Sequence, residues 1–534
     1  MAVAVVGSGP AALACTHALL RRGASVTLLD TGERLEPELQ SVVDRMKAQP
    51  KSSWSAADRV LLQRNPTISG RKIPRRLAFG SDFVYRAERP SAPLDREDLV
   101  IAPTYARGGY STVWGAAMLP VHGDDIGDWP IARATLEPYY AAVLADLPYS
   151  ARDDGLSREF PLFDARTQPL RLGGQASALL ADLDAAELDT GSRDRLLHGQ
   201  ARLAVRAQDT ADGDRGCVYC GLCLAGCVKG AIYNASDDLD RLIAAGRVDY
   251  RGGVLVRTVA ELEDRVDVSL VSADGASHER LSFERVFVAA GAVNSTRILL
   301  ASLGLFDTPL QLRHSPKFVV PFLRLPSHPL AWPDTNTLAA LFLECRFPGV
   351  SSHWLHVQIS VLSDMVLTAL GAYRNDAWTL RGRLARPLLR RLMVALCGLH
   401  SNEAEPISVL LRGSSDGREP VLELRAPADD GQLAATIRRA AARLARKGLS
   451  FRSLFLTPFV ASGASALGNH YGGTLPMRAR PRHRFETDLL GRPAGLTRTH
   501  VVDASVLPSV PATTLALTIM ANARRIGDQA PLDA

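Results

Sequence analysis

The chain opens with an apolar run, Ala2 to Val6, that stops on Gly7-Ser8-Gly9-Pro10-Ala11-Ala12. Apolar positions then recur at helical spacing through Leu13 and Leu19 to Arg22. A second run, Ala24 to Leu29, closes on Asp30. The order strand, glycine turn, helix, strand, acid is that of a dinucleotide-binding unit. Further along the pattern changes. Val319–Leu325, Leu338–Cys345, His353–Leu362, Ile407–Arg412 and Val421–Arg425 alternate partly between apolar and polar, as strands with one buried face do. Between them, Leu388–Leu399 and Leu433–Lys447 read as helices, with Pro387 suited to a first turn and Gly448 to a helix end.

Each part of the opening motif has a physical task. Gly7 permits the tight turn, Gly9 lets backbone approach a pyrophosphate, and Ala12 replaces a third glycine where helix meets strand. The helix N-terminus offers free N–H groups and partial positive charge to phosphates. Asp30 can accept ribose hydroxyls and disfavours a 2′-phosphate. The motif alone does not choose between FAD and NAD, and a glycine-rich turn in another α/β protein is the competing reading.

At 534 residues the chain exceeds what one core usually organises, so two structural domains are expected. The net charge of +6 is spread over arginines scattered among acids, without the clustered basic and aromatic residues of a nucleic-acid binder. No apolar run approaches the ~20 residues of a membrane span, and the N-terminus lacks the features of a signal peptide. A cytoplasmic protein is expected. In the second helix Arg439, Arg443 and Arg446 share one side, with Arg438 beside them; Arg386, Arg390 and Arg391 begin the first. They suit either a solvated helix face or contact with a membrane surface or anionic substrate.

Several separated segments then resemble one family. Gly108-Gly109-Tyr110-Ser111-Thr112-Val113-Trp114-Gly115-Ala116, Trp129-Pro130-Ile131, Val286 to Val293 leading into Arg297–Leu300, His470-Tyr471-Gly472-Gly473-Thr474, Val501 to Pro508 and Thr518-Ile519-Met520-Ala521 stand in the order of the motifs of the glucose–methanol–choline (GMC) oxidoreductases. The resemblance covers roughly residues 1–160, 215–310 and 460 onward. It implies an α/β fold: an FAD-binding, Rossmann-like domain of the glutathione-reductase type beside an α+β substrate domain with a mostly antiparallel sheet. The expected segments are 1–160 (FAD domain), 161–214 (cap or connection), 215–310 (FAD domain with a cysteine cluster), 311–460 (substrate domain) and 461–534 (FAD domain, catalytic segment). Flavin contacts are implied at Gly108, Gly109, Ser111, Trp114, Gly115, Val254, Ala290, Gly291, Asp503 and Ala504. A turn cap is the plainer role for Asp503.

The activity implied is oxidation of an alcohol, on a small or carrier-linked molecule, by hydride transfer to FAD. Removing the hydroxyl proton suits a histidine, and His470 occupies the family's catalytic position. The family's second His or Asn would fall on Thr514 or Leu515, so Thr514 is the expected oxygen partner. That departure motivates an alternative: a flavin-bearing electron-transfer or assembly subunit that oxidises no alcohol itself.

Of seven cysteines, Cys15, Cys345 and Cys397 are isolated and suit apolar packing. Cys217, Cys220, Cys223 and Cys227 have the C-x2-C-x2-C-x3-C spacing of a ferredoxin ligand run, with Val228 where the bacterial version has Pro. An iron–sulfur cluster, a structural zinc and reduced thiols all remain open. A cluster would imply a protein or quinone acceptor; without it dioxygen stays open as the acceptor.

Overall fold

The computed structural model describes the chain except residues 66–75, 97–98, 165–167, 187, 189–192, 212, 327–335, 362–390, 414–417, 428–430, 463–468 and 533–534. The five-residue runs Ala2–Val6 and Ser25–Leu29 form adjacent parallel strands, joined by the helix Pro10–Arg21. They sit within a five-stranded sheet in the order Thr499–Val501, Arg285–Val288, Ala2–Val6, Ser25–Leu29, Val248–Arg251, all parallel. Strands from both ends of the chain thus meet in one sheet. The closing helix, Leu515–Gln529, packs against Pro10–Arg21. An antiparallel meander, Val254–Glu261, Val266–Ser272 and His278–Phe283, follows the edge strand.

The second large sheet is antiparallel. Its order is Ser453–Phe455, Lys317–Arg324, Leu392–Gly398, Leu355–Val361, Leu341–Arg346, Arg195–Gln200. One face carries Phe318, Val320, Leu343, Val357, Ile359, Met393 and Ala395 and packs on the helices Gly174–Ala185 and Gly431–Gly448. In the latter, Leu433, Ile437 and Leu444 face the sheet, while Arg438, Arg439 and Arg446 are exposed and Arg443 pairs with Asp194. That is an amphipathic helix covering a sheet. No helix among the described residues is long and apolar enough to cross a membrane.

One expected helix is a strand. Leu392–Gly398 lies in the centre of the antiparallel sheet, bonded on one side to Lys317–Arg324 and on the other to Leu355–Val361. Its burial alternates residue by residue, with Met393, Ala395 and Cys397 inward on the helix-covered face. A short apolar run carries too few residues to separate a period of 2 from one of 3.6, and the two neighbouring strands decided it. Pro387, Arg386, Arg390 and the start of that expected helix lie outside the described residues.

Candidate functional site

A cavity of about 860 Å³ runs between the two sheets. At one end it is walled by Gly7, Ser8, Gly9 and Pro10, at the other by Asn469, His470 and Thr514. The turn at its head is fixed by glycine. Gly7 has φ +103°, and a Cβ there would stand 2.6 Å from the Ala289 carbonyl oxygen. Gly9 meets only the Gly109 Cα, 3.9 Å away, so the backbone lies open to the cavity. The helix that follows has Pro at its first turn and no side chain capping it. Its N–H groups are therefore available to an anion.

Asp30 ends the second strand with its carboxyl buried, and burial pushes its pKa up to about 6. Asp30 Oδ2 accepts from the Ser8 hydroxyl at 2.6 Å and from the Tyr250 hydroxyl at 3.2 Å. Ser8 Oγ in turn accepts from the Gly108 N–H at 2.9 Å, which ties the glycine turn to the segment carrying Gly109.

Gly109, Ser111, Trp114, Gly115, Val254, Ala290, Gly291, Asp503 and Ala504 all line this same cavity, with His470 and Thr514. Ala12 and Gly108 do not: Ala12 is fully buried in its helix, and Gly108 turns the chain against Asn234 and Ser236. Asp503 is occupied internally. It accepts from the Gly291 N–H at 2.8 Å, the Ser505 N–H at 2.9 Å and the Ser295 hydroxyl, capping the turn Ala504–Val506 and bracing it to the segment at Gly291.

The residues sequence patterns associated with chemistry are joined by others they did not reveal. Alternation along the antiparallel strands turns Lys317, Gln358 and Leu396 away from the helix-covered face and into the cavity. Lys317, Gly398, His356 and Glu344 occupy one row across four strands, each register partner of the next. Gly398 is the gap that makes the row possible. A Cβ there would lie 2.3 Å from Lys317 Nζ and 2.9 Å from the Ala512 carbonyl oxygen, to which that ammonium donates at 3.1 Å.

Burial lowers the Lys317 pKa to about 8, and no ion pair with it occurs among the described residues. Glu344 and His356 are hydrogen-bonded through Nδ1, and Gln358 Nε2 lies 3.1 Å from His356 Nε2. Burial raises the Glu344 pKa and lowers that of His356, so both favour their neutral forms. The pair fixes the Gln358 amide at the cavity wall.

His470 borders the cavity with its Nδ1 enclosed and without a hydrogen-bond partner among the described residues. Burial, then Lys317, then His356 hold its pKa well below the usual histidine range. The ring is neutral near pH 7 and can accept a proton. Thr514 is differently placed. Its hydroxyl accepts from the Leu119 N–H at 2.6 Å and donates to the Leu119 carbonyl at 3.2 Å. Its hydrogen is committed to structure.

The four clustered cysteines are free, half-buried, and line one small cavity together with Asn336 and Leu338. Among the described residues no group of three or more His, Cys, Asp or Glu side chains is disposed to hold a metal ion.

Residues 5–44 match the model of the NAD(P)-binding Rossmann-like domain. The fold matches that of pyridoxine 4-oxidase from Mesorbium loti with a TM-score of 0.58 at 15% identity, covering 99% of this chain and 98% of that one. No curated protein sequence matches the chain. The chain therefore has a Rossmann-like dinucleotide domain joined to an antiparallel-sheet domain, a fold it shares with that solved structure.

Proposed function

We propose that this chain is an FAD-dependent oxidoreductase of the GMC type that oxidises the CH–OH group of a small or carrier-linked alcohol. The observation that carries the reading is that one cavity is walled by both the glycine turn of residues 7–10 and the imidazole of His470. A full-length likeness to a protein named as an oxidase of pyridoxine supports the same reaction class.

The residues fit FAD. The uncapped helix at Pro10 suits the pyrophosphate, Asp30 suits the ribose, and the segments around Gly109, Gly291 and Ala504 suit a flat ring. The closing helix also starts at the cavity without a side-chain cap, so its positive end suits electron-rich ring atoms. Bound there, FAD supplies the acceptor for a hydride.

The protein's own groups handle the proton and the oxygen. Neutral His470 takes the hydroxyl proton, favoured by the low pKa only in that the ring starts unprotonated. Lys317 holds the substrate oxygen as it loses that proton, a task Thr514 is too fully bonded to perform. Gln358, steadied by His356 and Glu344, orients the alcohol. The flavin-carrying protein, mixed without oxygen with a panel of sugars and alcohols, is expected to lose its visible flavin band with at least one. Retention of that band with every alcohol would favour the electron-transfer or assembly reading.

A further inference from the structure

We propose that Lys317 condenses with an aldehyde in the cavity, forming a reversible imine that holds the carbonyl compound on the protein. In turnover that aldehyde is the product of the oxidation proposed above, and this part rests on that reading. The reactivity of the amine towards an added aldehyde does not.

An imine needs a lone pair on nitrogen, and the basic residue this chain mostly uses cannot offer one. Six of its 62 basic residues are lysine; the rest are arginine, whose guanidinium keeps its proton. Arg76 and Arg297 line the cavity, and Lys317 is the one lysine among the described residues that does so. Lys229 and Lys447 lie elsewhere, donating to the backbone carbonyls of Lys47, Gln49 and Leu188.

The groups around Lys317 do little to hold it charged. Its ammonium donates to the Ala512 carbonyl oxygen at 3.1 Å, and among the described residues no carboxylate pairs with it. Glu344 is hydrogen-bonded to His356 and favours its neutral form. Cys397, on the neighbouring strand, stays a thiol because burial raises its pKa. His356 and His470 are held neutral. Burial therefore prevails and lowers the Lys317 pKa to about 8. At pH 7 about one such amine in ten is neutral, against fewer than about one in 10³ for an exposed lysine.

The geometry brings this amine to the reacting carbon. Gly398 leaves the room that Nζ occupies, since a Cβ there would stand 2.3 Å away. The His470 carbonyl oxygen accepts from the Ser315 N–H at 2.9 Å, which ties the histidine segment to the start of the Lys317 strand. Ring and amine thus face one cavity from adjoining segments. An alcohol oxygen held by both groups leaves its carbon, once oxidised, beside Nζ.

The step balances without any transfer of electrons to or from another molecule. The Nζ lone pair attacks the carbonyl carbon, the C=O pair moves onto oxygen, and one N–H proton follows it, giving a carbinolamine. The proton that His470 took from the alcohol then passes to the same oxygen, which leaves as water while the C=N bond forms. The protonated imine keeps the positive charge of the lysine. Addition of water reverses the step and releases the aldehyde.

The flavin-carrying protein, incubated with benzaldehyde and cyanoborohydride, is expected to gain one benzyl group, placed on Lys317 by peptide mass spectrometry. At pH 7 Lys317 should label at least about tenfold faster than Lys229 or Lys447. Its labelling should rise about tenfold from pH 6 to 7 and level off above pH 8, while exposed lysines go on rising towards pH 10. Lys317→Arg keeps the charge and Lys317→Met the length; both should lose the adduct, with flavin content and far-UV circular dichroism reporting that each is folded. Benzyl alcohol given in place of benzaldehyde tests the oxidation separately. Labelling of Lys317 by the aldehyde but by no alcohol would remove the oxidation and leave the imine standing. An adduct spread evenly over the lysines, or none on the folded protein, overturns the proposal.

Discussion

Replacing Lys317 by methionine separates function from stability at one position. Lys317 is only 6% exposed, and burial lowers its pKa from 10.5 to about 8. A drop of that size, at 1.36 kcal/mol per unit, means that holding the ammonium in place at neutral pH costs about 3 kcal/mol. Methionine keeps the length of the side chain and carries no charge. It also gives up the bond to the Ala512 carbonyl, worth about 1 kcal/mol. The variant should therefore be about 2 kcal/mol more stable at pH 7.

The sign with pH follows from proton counts. Between pH 8 and 10.5 the unfolded lysine binds more protons than the folded one, so wild-type stability rises across that window. The advantage of Lys317→Met is fully present below pH 8 and fades towards pH 10.5. Turnover should move the other way, with kcat/KM falling by about 10²-fold as an oxygen-stabilising donor is lost. Thermal unfolding of both proteins from pH 6 to 10, beside alcohol turnover, measures both effects. A variant less stable at every pH would refute the burial argument, and undiminished turnover would remove Lys317 from the chemistry.

His470→Ala should lower kcat by about 10²–10⁴-fold while flavin content is retained, measured by steady-state turnover and the visible spectrum. Full turnover would remove His470 as the base. Gly398→Ala forces the Lys317 ammonium aside; about a tenfold loss of kcat/KM and 1–3 kcal/mol of stability are expected, read from kinetics and denaturation. Thr514→Val leaves the buried Leu119 N–H and carbonyl unpaired and should cost about 2 kcal/mol, with turnover changed only a few-fold. A collapse of turnover at unchanged stability would restore Thr514 as a catalytic group.

The dinucleotide half of the protein was legible in the residues because its signals are local. Gly7, Gly9 and Asp30 act within one strand–turn–helix–strand unit, and their spacing states the geometry they adopt. The same holds for Ile407–Arg412 and Val421–Arg425, whose alternation matches the observed strands. His470 was legible through its neighbours in sequence, and the cavity places it opposite the glycine turn.

What the sequence determined by itself is thus the set of short-range units: the glycine turn, its closing acid, the cysteine spacing and the histidine segment. Tertiary structure alone decided which face each distant strand presents. It made Leu392–Gly398 a central strand, since hydrogen bonds from two neighbours outweigh a weak local preference. It set Lys317, Gly398, His356 and Glu344 in one row, though none stands near another in the chain except through strand pairing. It also spent the Thr514 hydroxyl on Leu119, almost four hundred residues earlier. Register between strands is fixed by the packing of a whole face, and no single stretch of residues carries that information.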